Sequence, residues 1–286
     1  MGLLRLAQAF TADWEHLLHS VADRRTRLRI LGTSLRLFAA STLASRGGGP
    51  VEQRLMGLRV AGFNTPMLKF FFREIFVHGD YDFRPCREDP LILDCGANVG
   101  MATLYFTWRY PKAEVHAFEP DPETFALLQR NIEANGLKHA HAHALAVSDT
   151  NGSIAFYRDA SNPGYPMMST VRDRMPKERT TVACVALSSF LEEKLPGREV
   201  DLVKLDIEGA EQAVLTDLAA SGALARVREL VIEYHHHMGA DRSRLGPFLD
   251  VLEAAGFSYQ LRAEAFPLTA RNAFQDVLLY CYRKDD

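Results

Sequence analysis

An acid followed by a run of small residues, and a second acid 25 positions later, are the first groups whose types and spacing suggest chemistry. The stretch Leu91-Ile92-Leu93-Asp94-Cys95-Gly96-Ala97-Asn98-Val99-Gly100 passes from apolar residues through Asp94 into a small-residue turn, and Met101 to Phe106 reads as helical. That order predicts strand, tight loop and helix. Gly96 and Gly100 carry no Cβ, so a ligand can lie against bare backbone, and N–H groups at a helix start favour an anionic group such as a carboxylate. Glu119 ends a second short strand, Ala113 to Phe118. A carboxylate at that strand end can accept both hydroxyls of a ribose.

Dinucleotide-binding loops space three glycines as G-x-G-x-x-G to admit a pyrophosphate. Here the pattern is D-x-G-x-N-x-G, without the third glycine. An acid two residues before the first glycine repels phosphates and suits an aminoacyl cation. A third strand, Ala142 to Val147, ends in Ser148-Asp149, whose polar groups could meet an adenine edge. Further on, Val200 to Asp206 reads as a fourth strand, with Ile207-Glu208-Gly209-Ala210-Glu211 opening a helix; Leu230 to Tyr234 is a fifth, running into His235-His236-His237.

The elements that must hold these residues alternate strand and helix, which implies an α/β fold: a mainly parallel sheet with helices on both faces and a ligand crevice at the strands' carboxyl ends. Asp121 is placed to cap a helix beginning at Pro122, whose apolar face is Phe125, Leu128 and Ile132. Residues 1–46 read as helical, and Arg46-Gly47-Gly48-Gly49-Pro50 breaks the pattern. The division is therefore a helical segment, 1–50, before a domain, 51–286. A packing cap, an oligomer contact or a lid all fit the first part. Aromatics crowd residues 51–85, where core packing and an acceptor pocket compete as explanations, and a long loop spans 159–180.

At 286 residues with 47% hydrophobic and 24% charged content, the chain has ample material for a core. A net charge of -3 argues against nucleic acid as a partner. The basic run Arg24 to Arg29 reads as a solvated helix face. Four scattered cysteines without a C-x-x-C pair suggest a reduced, cytoplasmic protein, and no early segment is long and uncharged enough to span a bilayer.

Three stretches now coincide: Asp94 to Gly100, Phe118-Glu119-Pro120, and Lys204-Leu205-Asp206-Ile207-Glu208-Gly209-Ala210-Glu211. Together they resemble the FkbM family of S-adenosylmethionine (SAM) dependent methyltransferases, and Ile75 to Asp82 is also similar to it. The resemblance covers roughly residues 75–240 and leaves 1–50 outside. It implies a class I methyltransferase fold, Rossmann-like with a seven-stranded sheet, and methyl transfer to a hydroxyl on a sugar, polyketide or other small metabolite. It also implies that Asp94, Gly96, Ala97, Asn98 and Gly100 surround the methionine part of SAM, that Glu119 holds its ribose, and that Asp206 faces the transferable methyl.

Such a reaction needs an acceptor proton removed. Asp206, Glu208, Glu233, His235 and His236 stand at the right strand ends, with His235 favoured because imidazole titrates nearest neutrality. The expectation is a metal-free site, although Asp206 and Glu208 have the oxygen donors that Mg²⁺ prefers. An NAD-dependent oxidoreductase and a non-catalytic SAM-binding module are the rival readings.

Overall fold

The computed structural model describes residues 13, 17, 23–43, 50–159, 168–172, 178–238, 244–263 and 274–283. The strands are β1 (Val51–Leu55), β2 (Leu58–Gly62), β3 (Leu91–Cys95), β4 (Glu114–Phe118), β5 (Ala140–His143), β6 (Ala146–Ser148), β7 (Gly152–Arg158), β8 (Glu178–Ala186), β9 (Val200–Leu205), β10 (Val227–His236), β11 (Phe257–Ala263) and β12 (Gln275–Arg283). The α-helices are α1 (Arg24–Leu43), α2 (Thr65–Phe72), α3 (Met101–Arg109), α4 (Pro122–Ala134), α5 (Leu187–Lys194), α6 (Glu211–Ala220) and α7 (Leu245–Ala254), and α2 continues into a π-helical turn, Arg73–His78.

Seven strands form the main sheet in the order β11-β12-β10-β9-β3-β4-β5. The pairs from β10 to β5 are parallel, while β12 runs antiparallel to both β10 and β11. β3 and β9 lie at the centre and are buried along their whole length. Both faces of such strands are covered, which is why they read as nearly continuous apolar runs. One core, around Phe72, Phe76, Leu104 and Phe106, covers one face; the other, around Leu191, Leu215, Phe248 and Phe257, covers the opposite face.

The third strand departs from the sequence reading. It pairs with β4 only through His143, after which the chain turns so that Ala146–Ser148 joins a separate three-stranded sheet, β6-β8-β7. His143 stacks on Phe118 at 4.8 Å between ring centroids, so this histidine packs against the core. A second departure is the hairpin β1-β2, whose turn Met56-Gly57 has positive φ at both residues, 54° and 95°. Asn131 fixes the hairpin to α4 by accepting from Ala61 N at 2.7 Å and donating to Ala61 O at 2.9 Å.

At α4 the sequence reading and the structure coincide: the Asp121 side chain accepts from Glu123 N and Thr124 N, and Pro122 opens the helix. The N-terminal segment packs onto this body. Asp13 pairs with Arg73 at 2.7 Å, and Leu17 is buried in the first core. The glycine run 47–49 and most of the long loop lie outside the described residues. Among the described residues, no helix is long and apolar enough to cross a membrane.

Candidate active site

The carboxyl ends of β3, β4, β9 and β10 converge on a cavity of about 290 Å³. Gly96, Asn98, Phe118, Glu119, Asp206, Glu208 and Glu233 line it. Gly96 must be glycine for two reasons. Its φ is +80°, and an added Cβ would sit 1.8 Å from the backbone oxygen of Asp206, so the tips of β3 and β9 touch there.

The loop does not present bare N–H groups, as the sequence had suggested. Gly96 N and Ala97 N both donate to Phe118 O, Asn98 N to Glu119, Val99 N to the Asn98 side chain, and Gly100 N to Ala97 O. Every donor from 96 to 100 is thus consumed within the protein. A pyrophosphate, which such loops bind through free amides, has nothing to bind to here.

Glu119 is 5% exposed and accepts from Asn98 N at 3.0 Å and Asp121 N at 2.8 Å. Burial pushes its pKa up to about 8, partly offset by those two amides. A carboxyl aimed into a cavity and fixed by backbone on each oxygen is suited to receive two vicinal hydroxyls, so the residues present fit a ribonucleoside. Phe118, Pro120, Leu145, Ala146, Val147 and Phe156 supply apolar walls nearby.

Five other residues expected at the cofactor stand behind the cavity wall. Asp94 is fully buried and accepts from Thr103 Oγ1 at 2.6 Å; Ala97 and Gly100 build the loop, with Gly100 packed closely on Leu128; Ser148 bonds to Asp149 at 3.1 Å, a residue beyond the apolar wall. Lys204, a residue whose importance the sequence reading missed, connects these parts. Its buried Nζ donates to Gly96 O at 2.7 Å and lies 3.5 Å from Asp94 and 3.3 Å from Asp206. Burial disfavours the ammonium, but the two carboxylates outweigh it and raise its pKa. An apolar-looking strand containing one lysine was the available signal.

Asp206 faces the cavity and accepts from Tyr81 OH at 3.2 Å. The residues after it do not open a helix directly. Glu208 and Gly209 both adopt positive φ, and the buried Glu211 accepts from Ile207 N and Gly209 N, bracing the bend before α6 starts. Ser169 closes over it by donating to Glu208 O.

His235 is fully buried behind this bend, with Nδ1 3.0 Å from Glu211 and Nε2 3.0 Å from Glu208. Burial alone would lower its pKa, but the flanking carboxylates raise it well above the ordinary value. A ring already protonated has no lone pair to take a proton, which argues against the expected base role. His236 is half-buried and lies against His237.

A second cavity, about 550 Å³, adjoins the first. Glu74, Tyr81, Glu233 and Asp276 line both, and Arg73, His78, Asp80 and Arg262 add charge of both signs. The aromatic segment divides accordingly: Phe72, Phe76 and Phe83 are core, whereas Phe70, Phe71 and Tyr81 line the first cavity.

Five parallel strands in this order, extended by an antiparallel pair, with the glycine loop after the central strand, define a class I methyltransferase fold. The FkbM methyltransferase domain matches residues 94–259, and the chain belongs to that family. It is 34% identical over 167 residues to Methyltransferase 1 of Beauveria bassiana, covering 53% of this chain and 67% of that protein. It is 31% identical to the 31-O-demethyl-FK506 methyltransferase FkbM of Streptomyces tacrolimicus, covering 77% and 93% respectively. Among solved structures, methyltransferase FkbM from Methylobacillus flagellatus aligns with 98% of this chain and 60% of that one, at 15% identity and a TM-score of 0.45. The protein is therefore a methyltransferase.

Proposed function

We propose that this methyltransferase uses SAM to methylate a hydroxyl oxygen on a small metabolite such as a sugar or polyketide. The observation that carries the reading is the shared wall between the two cavities: a nucleoside over Gly96 and Glu119 meets a second ligand across Glu74, Tyr81, Glu233 and Asp276. Relatives named for transfer to oxygen, the FkbM enzyme above and the 2-O-methyltransferase NoeI of Sinorhizobium fredii at 30% identity, support the choice of acceptor atom.

The cofactor, when bound, supplies a methyl already activated on a sulfonium. The protein's part is to align, to exclude water and to accept a proton. Glu119 receives the ribose hydroxyls, and Leu145 to Val147, rather than Ser148 and Asp149, flank the adenine. Asp94, Ala97 and Gly100 act through the loop they shape. Asp206, held by Tyr81 and Lys204, takes the acceptor's proton, and Glu208 completes the wall. Four free thiols fit a reducing cytoplasm, and self-association through Leu28 and Leu35, both exposed on α1, is a further reading that light scattering tests. The segment 1–50 is read as an appendage to the domain 51–286. Incubation with methyl-labelled SAM and a panel of hydroxylated acceptors should give a product carrying the label on oxygen; SAM binding without transfer to any acceptor would favour a non-catalytic module.

A further inference from the structure

The groups behind the shared wall form more than a hydrogen-bonded brace. His235 and Asp276 are register partners on β10 and β12, and donor atoms of Glu233, His235 and Asp276 all lie within 4.8 Å of one another. A second such trio, Asp206, Glu208 and His235, shares the same imidazole. The Nε2 atom of His235, on a side chain with no solvent exposure, is aimed between two carboxylates, 3.0 Å from Glu208 Oε2 and 3.8 Å from Asp276 Oδ1, and its ion pair with Glu208 lacks the alignment of a good hydrogen bond. On the other side Nδ1 is fixed by Glu211, itself held by two backbone amides. A carboxylate holding the far nitrogen is the arrangement that orients metal-ligating histidines.

We propose that Glu233, His235 Nε2 and Asp276, with Glu208 beside them, bind one divalent metal ion of the class that accepts mixed imidazole and carboxylate donors, Mn²⁺ being representative. The identity of the donors sets that class: carboxylates suit Mg²⁺ and Mn²⁺, and an imidazole shifts preference toward first-row metals. Ligation by histidine uses the neutral ring, so binding releases a proton and tightens as pH rises. Neither chemistry nor position is accidental for the reaction, because Glu233 and Asp276 line both cavities. An ion there contacts the acceptor, holding its hydroxyl and a neighbouring oxygen toward the methyl donor. The acceptor O–H proton then passes to Asp206, the O–CH₃ bond forms as the S–CH₃ bond breaks, and the sulfonium becomes a neutral thioether. The metal undergoes no redox change.

This assignment rests on the methyltransferase reading for its role, but its test does not. Mn²⁺ is titrated into the full-length protein, with and without S-adenosylhomocysteine (SAH), and free Mn²⁺ is read by electron paramagnetic resonance. The structure predicts one ion per chain, bound about 10–100-fold more weakly by Glu211→Gln, which keeps a carbonyl oxygen for the backbone amides of Ile207 and Gly209 and removes the charge that orients His235. Asp276→Asn, at a half-exposed position, should weaken binding while leaving the melting temperature and SAH affinity in place. No Mn²⁺ binding up to millimolar concentration, or equal binding by wild type and Asp276→Asn, would overturn the site. Loss of SAH binding with Mn²⁺ binding intact would instead overturn the proposed function.

Discussion

Lys204 Nζ lies 2.7 Å from Gly96 O and 3.3 Å from the Asp206 carboxylate, so one buried ammonium joins the glycine loop after β3 to the carboxyl end of β9. Its removal leaves the fully buried Asp94 and the partly buried Asp206 without a counter-charge. Breaking such a pair from one side costs about 3–5 kcal/mol. Lys204→Met should therefore lower the melting temperature sharply. Adding Asp94→Asn should restore part of the loss, because it removes the stranded charge; a double variant no more stable than the single one would contradict this coupling.

Gly96 tests the contact between strand tips. Alanine there must adopt φ +80° and place Cβ 1.8 Å from Asp206 O. Where the backbone is compatible, Gly→Ala stabilises by up to ~1 kcal/mol; here both strain and overlap apply, so the change should destabilise by more than that amount. SAH affinity should fall with stability, as read by calorimetry and thermal melting together. Gly136→Ala, where an added Cβ meets nothing, is the control for positive φ alone.

Asp206 carries the proposed proton transfer. Asp206→Asn keeps the backbone oxygen against Gly96 and removes only the proton acceptor. Turnover should fall by about 10²–10⁴-fold, the usual contribution of a positioned base, with SAH affinity nearly unchanged. His235→Gln provides the comparison: it should lower turnover together with Mn²⁺ affinity, whereas full turnover in Asp206→Asn would contradict the base role of Asp206.

The pH dependence of stability has a defined sign at Glu119. Its folded pKa, about 8, is raised above the ordinary carboxyl value of 4.5. Between these values the folded state holds a proton that the unfolded state has released. The stabilising contribution is thus complete below pH 4.5 and is lost as pH rises through about 8. Denaturant titrations of the ligand-free protein across that window should show a decline that Glu119→Gln flattens.

Much of the fold was legible because central parallel strands are apolar throughout and their ends are marked by acids. Asp94, Glu119 and Asp206 each sit at a strand tip for that reason, and Asp121-Pro122 announces α4 by local chemistry alone. What stayed hidden depends on contacts distant in sequence. The hairpin β1-β2 is held by Asn131 and Asn135, some 70 residues away, and neither strand has a strong period of its own. The turn after His143, which sends Ala146–Ser148 into another sheet, leaves no break in an alternating stretch. Nor could spacing show that Glu211 and Glu208 enclose His235, since burial and two flanking carboxylates reverse the protonation expected of an isolated imidazole.

Whether the cavity over the glycine loop grips SAM is tested most directly by the crystal structure of the full-length protein with SAH. The expected density has ribose hydroxyls on Glu119, adenine between Pro120 and Val147, and sulfur directed at Asp206. Density for SAH placed elsewhere, or none under conditions where the protein is folded and the ligand saturating, would contradict it.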